Sequence, residues 1–93
     1  MTTTYEIDGA NFSTIDGFYE EISRVLIPGA TWGRNLDAFN DILWGGFGTP
    51  EAGFVLVWKN HHLSRDRLGS DFDTLVQILR EHEAEHRLTL TLN

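Results

Sequence analysis

The sequence predicts an α/β fold, a three-stranded parallel sheet with helices packed on one side. Short strand-like stretches stand near the start, in the middle and at the end of the chain, and the segments between them space their apolar residues as helices do. Strands separated by helices pair in parallel through right-handed crossovers. A chain of 93 residues buries only roughly 60 to 65% of the surface its unfolded form exposes, which supports one core and so a single domain over residues 1–93.

Thr3 to Ile7 alternates polar and apolar residues before the turn signal Asp8-Gly9, as a short strand with one wet face would. Ile15, Phe18, Tyr19, Ile22, Val25 and Leu26 then recur at three- and four-residue spacings. Ser13 or Thr14 can cap this helix, and Pro28-Gly29 stops it. A second, short helix follows Asn35, a good N-cap. It carries Leu36, Phe39, Ile42 and Leu43 and stops at Gly45-Gly46. Phe54 to Trp58 reads FVLVW with no polar face, which predicts a central strand covered on both sides. Lys59 to Ser70 is polar, with room for a helical turn around Leu63 to Leu68. From Asp71, Phe72, Leu75, Val76 and Leu79 mark a long helix, and Leu88, Leu90 and Leu92 alternate with threonine in a last strand.

Seven Lys and Arg against 14 Asp and Glu leave a formal net charge of −7. Nucleic-acid binding needs cations that neutralise phosphates, so the balance points to a basic protein partner instead. Cysteine is absent, which removes disulfides, thiolate metal sites and a thiol nucleophile. MTTTYEIDG has neither a basic nor an apolar leader segment, and no apolar run approaches membrane-spanning length; the cytoplasm is the expected location. Neither a membrane nor a cofactor is expected to take part, and a monomer is expected for the free protein.

Asp37 and Asp41 stand four apart in the second helix, so their Cβ atoms lie about 5 to 6 Å from one another and like charges cost ~0.2 to 0.5 kcal/mol. Asp37 sits near the helix start, where a negative charge complements the dipole. Asp41 has no such reason, and its neighbours Asp37, Ala38, Trp44 and Gly45 supply no cation. A solvated face would account for such a pair without any function. Glu81 and Glu85 repeat the spacing, whereas Glu83 and Arg87 make a well-oriented opposite-charge pair and Arg80 can reach Glu83.

Three enzymatic alternatives are weak. His82 to His86 fits H-E-x-x-H, a zinc-hydrolase pattern, but RLTLTLN beyond it offers no third ligand, and both histidines can simply flank the core with a ring edge exposed. Asp37 and Asp41 as a glycosidase pair would need unequal environments in a cleft, which an amphipathic helix on a small domain does not provide. Gly45-Gly46-Phe47-Gly48 follows a helix instead of opening one and lacks the Lys-Ser/Thr of a nucleotide loop. A nonenzymatic protein is therefore expected.

The stretch Trp32-Gly33-Arg34-Asn35-Leu36-Asp37-Ala38-Phe39-Asn40-Asp41-Ile42-Leu43 resembles the signature of the barstar family of ribonuclease inhibitors, in which an aromatic residue and a glycine precede N-L-D-A and a second aspartate follows four residues after the first. The similarity extends over essentially the whole chain, through Asp8-Gly9, Pro28, the aliphatic strand before Trp58, the V-Q-I-L-R-E run of Val76 to Glu81, and the closing T-L-T-L. The resemblance implies an intracellular inhibitor of a basic, secreted, guanyl-specific ribonuclease, whose second helix and preceding loop enter the nuclease cleft. By position, Asp41 matches the aspartate that occupies the nuclease's phosphate site, Asp37 a second acidic contact and Glu81 an acidic contact from the later helix. Gly33, Asn35, Leu36 and Gly45 match other interface positions, with Trp32, Asn40 and Trp44 beside them.

The chain also departs from the family pattern. Thr31 stands where the best-known member has a tyrosine, Asn40 replaces a tryptophan, and Trp44 and Gly46 exchange a small residue and a tryptophan around Gly45. Charges are kept while aromatic anchors move, which implies a different nuclease or a related toxin as partner. An acidic interaction module of the same fold, binding a basic protein that is not a nuclease, is the alternative expectation.

Overall fold

A computed structural model describes residues 3–29, 31–45 and 48–93. Three strands, β1 (Thr4–Asp8), β2 (Phe54–Lys59) and β3 (Leu88–Leu92), form one parallel sheet in the order β1-β2-β3. Between them run α1 (Ile15–Leu26), α2 (Leu36–Trp44), α3 (His61–Leu68) and α4 (Ser70–Ala84), and a single 3-10 turn, Gly9–Asn11, follows β1.

Period-two alternation decides which face of the sheet is covered. Ile7, Phe54, Leu56, Trp58, Leu88 and Leu90 point into the core. On the opposite face, Thr4, Val55 and Thr89 line up in register, as do Glu6, Val57 and Thr91. Val55 and Val57 are only half-buried, so the expectation that FVLVW is covered on both sides is corrected. Strands on either side shelter the two valines, and β-branched side chains suit a pleated surface of this kind without a second helical layer.

Aromatic rings fill the space between sheet and helices. Phe18 of α1 lies 5.0 Å from Trp58 and 5.3 Å from Phe39 of α2, centroid to centroid, and Phe72 of α4 lies 5.2 Å from Trp58. Phe39, Ile42 and Leu43 are completely buried, which fixes the rotation of α2 and leaves Asp37, Asp41 and Trp44 outside.

The helical turn expected around Leu63 to Leu68 is a full helix from His61 to Leu68. It presents Ser64 to the core, where the hydroxyl accepts a 3.0 Å hydrogen bond from Trp58 Nε1. Gly9 permits that packing: a Cβ there would stand 2.4 Å from Asn60 O and 2.5 Å from Ser64 Oγ. The Glu83–Arg87 pair does not form. Glu83 instead accepts from Arg80 at 2.9 Å and from the Leu90 N–H at 2.9 Å. α4 ends at Ala84, and His86 turns the chain with φ 62°, so Arg87 leaves the helical register and reaches α2.

Candidate partner-binding site

Local chemistry sets α2 in place at both ends. Asn35 Oδ1 accepts the Ala38 N–H at 2.8 Å, satisfying one free amide of the first turn. At the other end, where carbonyls lack intrahelical donors, Thr49 Oγ1 donates to Ile42 O at 2.6 Å and Arg87 donates to Leu43 O at 3.3 Å and Trp44 O at 2.6 Å. Gly45 terminates the helix at φ 105°, a conformation that favours glycine, and a Cβ there would meet Arg87 Nη2 at 3.3 Å. Gly46 and Phe47, the rest of the expected stop and of the glycine run, lie outside the described residues.

The exposed side of α2 carries Asp37, Asp41 and Trp44, the last 51% exposed and the only large exposed hydrophobic side chain among the described residues. Neither aspartate makes an ion pair or hydrogen bond among the described residues, and the same is true of Glu81 and Glu85 at the end of α4. The nearby cations are engaged elsewhere: Arg34 lies 3.8 Å from Glu20, Arg80 bonds Glu83, and Arg87 bonds the carbonyls of α2. Asp41 and Glu81 both fall in the last turn of their helices, and Glu85 caps α4. A helix C-terminus repels anions, so folding gains nothing from three carboxylates placed there.

α2 and α4 meet in an open cleft of about 400 Å³ lined by Asn40, Trp44, Glu81, His82, Ala84 and Glu85. The structure thus brings Glu81 of α4 beside Asn40 and Trp44 of α2. It also adds His82, whose ring is 2% exposed and whose Nε2 lies 2.7 Å from Asn40 Oδ1. Trp44 covers this imidazole with ring centroids 4.6 Å apart. Burial pushes the His82 pKa down and the Arg87 charge pushes it further, against an opposing pull from Glu81 and Glu85. A spacing signal for His82 exists, since Phe72, Leu75, Leu79 and His82 form one buried stripe; nothing in the sequence marks Asn40 as its partner.

Other expected contact residues are placed differently. Trp32 is turned inward, 8% exposed, with Nε1 donating to Ser23 Oγ at 2.6 Å and its ring edge-on to Tyr19, so its indole is not part of the surface. Leu36 is half-buried at the helix start, while Gly33 and Asn35 are exposed. The H-E-x-x-H pattern does not lie on one helix: His82 is inside it and buried, and His86 is beyond its end, exposed, with a left-handed backbone.

The one-sided parallel α/β domain thus keeps unneutralised carboxylates and an exposed tryptophan on adjoining helices. The family described as Barstar (barnase inhibitor) matches residues 2–92, and the chain belongs to that family. Among curated proteins it is similar to "Putative ribonuclease inhibitor YrdF" of Bacillus subtilis (strain 168), 34% identical over 79 residues that span 85% of this chain and 84% of that protein. No described helix is long and apolar enough to cross a membrane.

Proposed function

We propose that this protein is a nonenzymatic inhibitor of a basic ribonuclease or related toxin, acting inside the cell that makes both, and that it blocks the nuclease active site with the acidic face of α2. The single observation that carries this is the unpaired Asp37–Asp41 couple on an exposed helix face, with the neighbouring arginines engaged elsewhere. A nuclease cleft concentrates arginine, lysine and histidine to hold phosphates, and those cations repel one another while the cleft is empty. Carboxylates one helical turn apart replace the substrate's charges. They speed encounter through long-range attraction and, once desolvated against guanidinium groups, accept charge-assisted hydrogen bonds.

In this account Asp41 and Asp37 are the principal contacts, Glu81 is the acidic contact from α4, and Trp44 is the aromatic anchor. Gly33, Asn35, Leu36, Asn40 and Gly45 shape the surface around them. Trp32 supports the loop from inside the core. The test is a titration of a guanyl-specific, barnase-type ribonuclease with this protein while RNA cleavage is followed. Activity should fall linearly to zero at a one-to-one ratio, and the Asp37→Asn/Asp41→Asn variant should require a large excess. Undiminished cleavage at saturating inhibitor across several such nucleases would contradict the proposal. The inward-facing Trp32 and the engagement of Asn40 by His82 leave fewer surface anchors, which favours as a second reading an acidic module with a non-nuclease basic partner. A low-salt pull-down that recovers only non-nuclease proteins would favour it.

A further inference from the structure

Both outer edges of the sheet meet the same arrangement of side chains. The order β1-β2-β3 leaves β1 and β3 each with one side free of a neighbouring strand, and a free edge is a template for a strand from another molecule. In β3 the Asn93 N–H bonds back to Trp58 O. Alternation along the strand then turns the backbone of Thr89 and Thr91 towards β2 and that of Leu88, Leu90 and Leu92 outwards. At Leu90, the middle residue, both outward groups are engaged. Glu83 Oε2 accepts the N–H at 2.9 Å, Arg80 Nη1 donates to the carbonyl at 3.1 Å, and the two side chains bond one another at 2.9 Å. At the other edge, Glu21 Oε2 accepts the Asp8 N–H at the end of β1 at 3.0 Å, while Arg24 Nη2 donates to the second carboxylate oxygen at 2.9 Å. In each case glutamate and arginine stand three apart on one helix, α1 beside β1 and α4 beside β3.

We propose that these two glutamate–arginine pairs are edge guards, and that Arg80–Glu83 is the contact that keeps β3 from pairing with the β3 of a second copy of this chain. An acceptor on the N–H and a donor on the carbonyl are what an adjoining strand would supply at Leu90. The occupant follows from the composition of the edges. β3 reads LTLTL, uncharged and without proline or glycine, which suits it to strand pairing. Set antiparallel on a two-fold axis at Leu90, two copies place Leu90 opposite Leu90 and Leu88 opposite Leu92 as hydrogen-bonded pairs, and Thr89 opposite Thr91 between them. β1 reads TYEID, and the same operation centred on Glu6 would set two carboxylates against each other, which is destabilising. While Glu21 holds Asp8, β3 of one copy cannot add to β1 of the next, so opening the β3 edge alone yields a closed dimer and not a filament. None of this depends on what the acidic face of α2 binds.

The experiment is analytical ultracentrifugation of the whole chain near neutral pH, the parent beside its variants over a range of concentrations. The parent should remain monomeric throughout. Glu83→Ala should associate as concentration rises and level off at twice the parent's mass. Glu21→Ala, which opens only the β1 edge, and Asn35→Ala, which loses a helix cap away from both edges, should stay monomeric; they separate edge pairing from association through lost stability. Glu83→Ala/Leu92→Pro, which lacks an outward N–H that the pairing needs, should return to the monomer. Cysteines, absent from the chain, read the register. Thr89 and Thr91 of opposite copies form a pair close enough for a disulfide. In the Glu83→Ala background, an equal mixture of Thr89→Cys and Thr91→Cys chains should therefore oxidise mainly to the mixed disulfide. A parent that already associates, a Glu83→Ala variant that stays monomeric, equal association of Glu21→Ala or Asn35→Ala, a proline variant that still associates, or a statistical mixture of disulfides would each overturn the proposal.

Discussion

Replacing Asp41 by alanine should move the stability of the free protein and the strength of its complex in opposite directions. In the free protein Asp41 is exposed and has no partner among the described residues, so no contact is lost. Alanine favours the helix over aspartate by roughly 0.6 kcal/mol. Removing the repulsion with Asp37 returns ~0.2 to 0.5 kcal/mol, and clearing an anion from the last turn of α2 adds a few tenths. A gain of about 1 kcal/mol follows, or about 4 to 8 °C in Tm for a domain of this size. In the complex the same substitution leaves nuclease cations unpaired in a desolvated site. That should cost more than ~2 kcal/mol, about a thirtyfold rise in Kd. Urea denaturation measures the first effect and titration calorimetry with a guanyl-specific ribonuclease the second. Destabilisation of the variant by a kilocalorie, or binding as tight as the parent's, would contradict this role for Asp41.

Gly9→Ala should destabilise by about 1 to 3 kcal/mol in urea denaturation, because its Cβ would collide with Asn60 O, a backbone atom that cannot swing aside. Asn35→Ala should lower stability by about 1 kcal/mol through loss of the cap to Ala38 N–H, and should also weaken ribonuclease inhibition by freeing the start of α2. Acid should act in two stages, read as urea midpoints across pH. His82 is held below its ordinary pKa of 6.5 by burial and by Arg87, so the unfolded chain binds that proton first and stability begins to fall below about pH 6.5; His82→Gln should abolish this stage. Asp8, held low by the Asn60 side chain and the Ala10 N–H, Glu21, whose bonds from Arg24, Asn11 and Asp8 N–H outweigh its burial, and Glu83, held low by the Leu90 N–H, all lie below their ordinary carboxyl values. Their contribution is complete above about pH 4.5 and is lost as pH falls through their native values, giving the second stage.

How legible each element was depended on the kind of force that forms it. α1, α2, α4 and the three strands follow from apolar periodicity, and the cap at Asn35 from residue type, whereas residue type leaves Ser13 and Thr14 equal at the start of α1 and the structure selects Thr14. α3 was only partly visible because a hydroxyl hydrogen-bonded to Trp58 replaces the usual apolar stripe on its inner face. The fate of Arg87 could not be read from i,i+4 spacing, since spacing presumes a helix that the left-handed His86 has already ended. At the candidate site, Asp37 and Asp41 stood out because their like-charge spacing has no folding benefit. The resemblance puts Trp32 among the contacts, but its hydrogen bond to Ser23 and its packing on Tyr19 draw it inward. The His82–Asn40 pair bridges 42 positions of sequence, and no local pattern encodes a polar contact of that range.

Competition for the nuclease active site reads whether the acidic face of α2 occupies it. A guanosine mononucleotide bound to a barnase-type ribonuclease should be displaced in full by one equivalent of this protein, with the apparent affinity falling as the mononucleotide concentration rises. Formation of a ternary complex, with the nucleotide retained while this protein binds, would contradict it.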